Sequence, residues 1–513
     1  MYRLLSASKD TYITNRVIAN SRSIDSNTGQ AGTLDLFKLY GETTLTSETG
    51  SLVTELSRIL IKFDYGQISL SDIANPTFTA SLVLKDVYGG QTTPSNFTIA
   101  LYPLSRAFDE GRGSDVVSYR DLDTANFLKA STTVSWVVTG ANSFGNLGDT
   151  VDTIVSGDIG FGLQSLGVFK TFDRGDEDGV FDITTLVSAS VAGMITNHGF
   201  RLSFIQSEET DDKTRFVKRF GSRHTFNKAL QPKLNIEVVD RIRDTGGDPQ
   251  FGVSQSFFLY NQVRGNWVNL NSGSNQIVGN DCLMLKLESS KSISYTTSSY
   301  QANFSASINH LTTSVVYFSQ SFTGSQYNNM TGIYDANFML DFVDTAGLSS
   351  FVGSNNEISM KASWISLDRT VTYSTNYFLF KRLLGSYENS NEKNYVVNAV
   401  NLKESYTHAD KTRVRVVAQN LDNMQIATRY PSRMTSTIIP DMRWRLTKAY
   451  SNDVVIPFST STIMSTDTQG MYFDLFMQDL DVNEVYELEF LIKNDLGKDI
   501  VVQNKGFTFK VVP

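Results

Sequence analysis

The sequence predicts an all-β protein built of tandem β-sandwiches. Three observations predict it. Ser, Thr, Val, Phe and Tyr dominate, with 33 Phe and 22 Tyr, and these residues favour strands. Apolar residues recur mostly at period two, the spacing that puts alternate side chains on one face of a sheet. Segments with helical spacing are scarce. At 513 residues the chain exceeds one core, and a norm of about 150 residues per domain gives about three.

Ser57-Arg58-Ile59-Leu60-Ile61-Lys62-Phe63-Asp64 is the organising stretch. Alternation puts Ile59, Ile61 and Phe63 on one face and Arg58, Leu60 and Lys62 on the other. The first set should face a core, and Arg58 and Lys62 should face solvent or a carboxylate. Phe220, Leu234 and Ile236 should close the same core. Further strands are expected at Leu34–Leu39, Ala80–Leu84, Phe97–Tyr102, Val134–Trp136 and Phe200–Ile205. Asp182–Gly193 reads as a short helix with Asp182 or Thr184 at the N-cap and Gly193 at C′. Gly140–Gly167 is Gly-rich and should form long loops.

Asp240–Pro249 combines charge, a Gly pair and a Pro after an apparent last strand at Leu234–Val239, and marks a boundary. A second β region should follow, with strands at Phe257–Tyr260, Asp281–Lys286, Ala336–Phe342 and Glu357–Trp364. Polar residues Gly385–Lys393 mark another boundary. Behind it, Arg413–Ala418, Met471–Phe476, Tyr486–Ile492 and Phe507–Val512 suit an immunoglobulin-like sandwich. The expected domains are therefore 1–245, 246–388 and 389–513, the first a jelly-roll-like sandwich.

A net charge of −8 keeps such a chain soluble and argues against a nucleic-acid groove. Cys282 is the single cysteine, so no intrachain disulfide forms, as in a reducing cytoplasm. In the alternating run Asp281–Lys286 it reads as a buried thiol. No signal pattern opens the chain and no run of about 18 apolar residues could span a membrane.

The four histidines, His198, His224, His310 and His408, lack metal-ligand spacing. No nucleophile elbow or phosphate-cradling loop is present. Asp173–Gly179 collects carboxylates in one turn, as calcium requires, but Arg174 and Thr185 stand where an EF-hand has ligands; an acidic surface turn is the simpler reading. Tyr88, Tyr102, Trp136, Trp267, Trp364 and Trp444 are sugar-platform candidates, with core placement the default. The expectation is a non-enzymatic chain with no catalytic, cofactor-binding or metal residues and no cofactor.

Residues 8–240 carry an ordered series of short motifs. Asp10-Thr11-Tyr12-Ile13 comes first, then Leu34–Leu39, Arg58–Asp64, Ala80–Leu84 and Val134–Trp136. Gly179–Ile183, Asn197–Leu202, Phe220–Arg223 and Pro232–Ile236 complete it. In this order they resemble the bacterial and phage sandwiches called DNRLRE domains, some of which are carbohydrate-binding modules. Such a module followed by immunoglobulin-like modules is also similar to virion proteins of marine and cyanobacterial tailed phages. The resemblance implies a virion structural protein of the neck, tail or capsid surface. Made in the host cytoplasm, it would work by assembly contacts with other virion proteins and as a homo-oligomer in a symmetric particle. The alternative is a carbohydrate-binding adhesion protein of a bacterial surface or phage fibre, with a host-surface glycan as partner.

Overall fold

The computed structural model describes residues 1–45, 52–90, 92–120, 124–160, 162–251, 253–264, 266–279, 282–289, 301–303, 316–322, 329–339, 357–381, 395–420, 436–493, 499–502 and 506–513. His310, Asp281, Leu340–Phe342 and the Gly385–Lys393 boundary lie outside them. The chain is all-β, with two compact units, Tyr2–Val238 and Val239–Pro513, the latter including Met1. Among the described residues no helix is long and apolar enough to cross a membrane.

In the Tyr2–Val238 unit one strand belongs to two sheets. Tyr2–Ser6 pairs antiparallel with the Lys233–Glu237 strand. From Ala7 on, the same strand, Tyr2–Thr14, pairs with Thr54–Phe63, with a register shift between Ala7 and Lys9. A bulge of this kind bends a strand and lets it turn a sandwich corner. The first sheet continues through Thr79–Leu84 to Gly179–Asp182, and the second through Phe200–Phe204 and Phe97–Pro103 to Val168–Phe172. Thr33–Tyr40 and Arg215–Gly221 pair with each other beside the start of Thr54–Phe63.

Ile59, Ile61 and Phe63 are fully buried, as are Phe220, Leu234 and Ile236. Phe97 stacks on Phe172 at 4.9 Å, and Phe172 lies 6.4 Å from Phe220. Each buried Ile or Phe contributes roughly 1.5–3 kcal/mol.

On the opposite face of Thr54–Phe63, Arg58 meets the expected alternative of a carboxylate. That face is not a solvent face. Leu56 and Leu60 pack in a second apolar cluster with Ile13, Leu104, Phe108, Phe127, Trp136 and Ala141. Residues 104–120 and 124–141, mostly irregular, supply the cover. Arg58 is therefore buried and meets a carboxylate, Glu209. Val134–Trp136 is not a strand: Ser135 forms an isolated bridge to Lys129, while Trp136 Nε1 donates to Asn126 O at 2.9 Å. Gly140–Gly167 is not merely loop. It holds a three-stranded sheet of Phe144–Asn146, Thr153–Asp158 and Leu163–Ser165.

The Thr184–Val191 helix has Ile183 at its N-cap, not Asp182 or Thr184. Asp182 Oδ1 instead accepts from the Thr184 N–H and hydroxyl, at 3.0 and 2.6 Å, one residue early for a cap. Gly193 has φ +77° just past the C-cap Ala192, the left-handed position a glycine supplies cheaply.

The Val239–Pro513 unit holds two sets of sheets. In the first, Val316–Phe322 pairs with Leu283–Ser289 on one side and Asn329–Met339 on the other. Leu283, Leu285, Leu287, Met360, Ala362, Trp364, Phe378 and Phe380 share one core cluster with Phe257, Tyr334, Ala336 and Phe338. In the second, a four-stranded sheet containing Lys411–Asn420 and Gly470–Phe476 accompanies a six-stranded sheet containing Met442–Lys448, Val485–Ile492 and Thr508–Val512. Trp444 of the six-stranded sheet stacks on Phe473 of the four-stranded one, 4.4 Å apart at 15°, so the two sheets form a sandwich. Between the two sets, Asp244 N–H donates to Thr466 O and Thr245 N–H to Ser256 O. The Asp240–Pro249 stretch is thus tied down by backbone bonds.

Candidate functional site

Asp10, Glu110, Arg223 and His224 converge in the Tyr2–Val238 unit. Asp10 comes from the first strand, where it pairs in register with Ile61. Glu110 sits beyond the Phe97–Pro103 strand in a segment held by Asn27, whose Nδ2 donates to Glu110 O at 2.8 Å. The packing is close: a Cβ on Gly29 would lie 1.9 Å from Glu110 O. Arg223 and His224 occupy the turn after Arg215–Gly221, where the His224 N–H donates to Ser222 Oγ.

The Asp10 N–H donates to Glu110 Oε1 at 2.9 Å. Arg223 grips the same carboxylate through Nε and Nη2, at 2.6 and 2.9 Å. His224 Nε2 lies 3.3 Å from Glu110 Oε1. Asp10 Oδ2 accepts the Arg223 N–H at 2.6 Å, whereas Asp10 Oδ1 is buried without a hydrogen-bond partner among the described residues. Burial, with the Glu110 charge adding, pushes the Asp10 carboxyl up to about 7 against the opposing Arg223 contacts. The Glu110 bonds hold the Arg223 guanidinium above its usual range. One ligand atom each from Asp10, Glu110 and His224 lies within 4.8 Å of the others. Sequence spacing hid this group, because its members stand about a hundred residues apart. The signal available was that two fold-marking motifs, Asp10–Ile13 and Phe220–Arg223, each contribute or adjoin a charged member.

The acidic turn does not gather ligands. Glu177 accepts from the N–H groups of Asp173, Arg174 and Gly175 at 3.1, 2.8 and 2.7 Å. Asp178 takes Lys85 Nζ and the Asp86 N–H at 2.7 and 2.9 Å. The turn closes over Lys218, whose buried ammonium donates to Gly175 O and Glu177 O. His198 is half-buried, and burial together with Lys62 lowers its pKa. Cys282 is half-buried against the second unit's core rather than fully enclosed. Trp136, Trp364 and Trp444 are core residues, Tyr102 is half-buried, and Tyr88 and Trp267 are exposed.

Trp267 lines a cavity of about 200 Å³ with Ile333, Arg413, Trp444, Tyr472 and Asp474. There Arg413 makes two hydrogen bonds to Asp474, at 2.8 and 3.2 Å, and lies 4.2 Å from the Tyr472 ring centroid.

Thr372–Lys381 ends its sheet. It pairs with Glu357–Ile365 on one side, and on the other, among the described residues, backbone bonds reach Lys381 alone, from Pro249 and Phe251. Since successive residues turn their N–H and C=O to opposite edges, Thr375, Tyr377 and Leu379 direct theirs the same way as Lys381. No described strand meets them. Thr372 to Phe380 carries no charge, and Tyr377 and Leu379 are 64% and 41% exposed.

No family model matches the chain and no curated protein matches it. Fibronectin(III)-like modules of Clostridium thermocellum CbhA align at 8% identity over 54% of this chain and 93% of theirs, TM-score 0.14. The Ig1-2 module of the Drosophila receptor protein tyrosine phosphatase DLAR aligns at 9% over 54% and 97%, TM-score 0.14. The adhesin domain of Streptococcus pyogenes Epf aligns at 8% over 75% and 93%, TM-score 0.13. These neighbours are β-sandwich modules or an adhesin domain, and scores this low transfer none of their activities to the chain.

Proposed function

We propose that the chain is a non-enzymatic structural component of a tailed-phage particle, a string of sandwiches over 1–245, 246–388 and 389–513 that works by assembly contacts. The observation that carries this reading is the Thr372–Phe380 edge, which no described strand covers. Folded proteins usually blunt such an edge with charge, proline or a cover. Here an uncharged strand of nine residues turns the backbone groups of Thr375, Tyr377 and Leu379 outward, which suits addition of a strand from a neighbouring virion chain or a second copy. The DNRLRE-like order of motifs in residues 8–240 supports the same assignment.

Tyr377→Pro tests it. Proline at an edge removes one outward N–H while leaving the ladder to Glu357–Ile365 in place. Wild-type chain should self-associate in light scattering or co-purify with particles by mass spectrometry, and the variant should do neither while melting like the parent. A wild-type chain that stays monomeric and is missing from purified particles removes the reading.

The cavity beside Trp267 favours a second reading, a glycan-binding adhesion protein. Aromatic faces next to an Arg–Asp pair are the surfaces sugars stack on and hydrogen-bond to. Glycan-array binding abolished by Trp267→Ala would support it, and an array at background would end it.

A further inference from the structure

We infer that Asp10, Glu110 and His224 form a binding site for a divalent transition metal of the zinc class. The inference is independent of the assembly reading. Carboxylate oxygen and imidazole nitrogen are both ligand types that such an ion takes, and three protein ligands with water completing the coordination suffice. The nitrogen donor disfavours calcium and magnesium, which take oxygen.

Proximity alone would not carry this, since Glu110 is already engaged by Arg223. The deciding feature is Asp10. It is 1% exposed, and its Oδ1 has no partner among the described residues, although a buried carboxylate oxygen ordinarily takes at least one hydrogen bond. Its other oxygen accepts from the backbone of Arg223, the residue before His224, and its own N–H donates to Glu110. Asp10 is thereby fixed against both other members of the set.

The charge count also leaves room for a cation. With both carboxylates ionised, as metal ligands are, Asp10 and Glu110 bring two negative charges and Arg223 one positive, so the liganding form is one charge short of neutral. Glu110 Oε1 is occupied by the Asp10 N–H and Arg223 Nε, with His224 Nε2 also at 3.3 Å. Oε2 takes Arg223 Nη2 alone and retains a lone pair. Tetrahedral zinc with bonds near 2 Å places its ligand atoms about 3.3 Å apart. Ligand atoms now within 4.8 Å need shifts of about an ångström. The His224 side chain, 26% exposed, has the freedom to make most of that movement.

The experiment uses the full chain without a polyhistidine tag, stripped with chelator and titrated with Zn²⁺ by calorimetry and with Co²⁺ by visible absorption. Wild type should take up one equivalent and give the d–d bands of a low-symmetry Co²⁺ site. His224→Ala should bind about 100-fold more weakly or not at all, and His408→Ala should bind like wild type. Asp10→Asn provides a second variant that keeps the acceptor for the Arg223 N–H. Melting curves in chelator establish that each variant is folded. Absence of a stoichiometric equivalent in wild type overturns the proposal, as does a folded His224→Ala that binds zinc unchanged.

Discussion

Arg58 and Glu209 meet in the interior of the Tyr2–Val238 unit through two parallel hydrogen bonds, Nε to Oε1 at 3.0 Å and Nη2 to Oε2 at 2.7 Å. Both are buried. A second guanidinium, Arg201, lies 3.8 Å from the same Oε2. Burial and the neighbouring Arg58 charge lower its pKa to about 9. One carboxylate thus serves two enclosed cations. The same pair roofs the sandwich: Glu209 belongs to the short Gln206–Thr210 helix, and Arg58 Nη1 also donates to Gly140 O at 2.6 Å.

The asymmetry gives a prediction. Glu209→Gln leaves Arg58 and Arg201 without their shared counter-charge and should cost about 3–5 kcal/mol. Arg58→Met keeps Glu209 beside Arg201 and retains packing against Phe127, so it should cost clearly less. Urea unfolding of both variants measures the difference. Equal losses would mean that Arg201 draws nothing from Glu209.

Gly199 precedes the Phe200–Phe204 strand with φ +94°, and a Cβ there would stand 2.5 Å from Ile61 O and 3.0 Å from Lys62 Cβ. The obstacle is backbone of a central strand, which cannot turn aside as a side chain would. Gly199→Ala should therefore destabilise by about 2–4 kcal/mol from strain and displaced packing. Gly66→Ala is the internal control, because nothing lies within 4 Å of its Cβ position and its φ is not in the left-handed region. It should be neutral or slightly stabilising. Similar melting temperatures for the two variants would show that the Ile61 carbonyl can give way.

The core face of Thr54–Phe63 was legible because Ile59, Ile61 and Phe63 obey the strand period and nothing else competes for that side. Its second face was not, because the cover comes from residues 104–120 and 124–141, whose apolar members Leu104, Phe108, Phe127 and Trp136 follow no period. An irregular segment held by backbone bonds, such as Gly140 N–H to Phe127 O, leaves no repeating trace in sequence. The Asp182 cap failed by a single residue, since Asp can close a turn with the residue two ahead as readily as it caps a helix. Asp10, Glu110 and His224 were invisible for another reason. Asp10 lies in a strand, whereas Glu110 and His224 lie in an irregular segment and a turn that tertiary packing brings beside it, and no local pattern encodes that.

Asp244 makes the stability of the Val239–Pro513 unit pH-dependent. The residue is 3% exposed, and burial, with the nearby charge of Asp467 adding, pushes its carboxyl up to about 7 against an opposing hydrogen bond from Gly246 N–H. In the unfolded chain it titrates near the ordinary aspartate value of about 3.9. Between those values the folded state holds a proton that the unfolded state has lost, so stability falls as pH rises. The contribution is complete below about pH 4 and is lost as pH rises through 7. Three pKa units at about 1.4 kcal/mol each set an upper bound of roughly 4 kcal/mol. Asp244→Asn keeps an oxygen for the Gly246 N–H and removes the ionisation. It should melt like the parent at pH 4, and at pH 8 exceed it by about 2–4 kcal/mol in urea unfolding. A gain of equal size at both pH values would show that Asn improves packing instead, and that Asp244 is not held protonated.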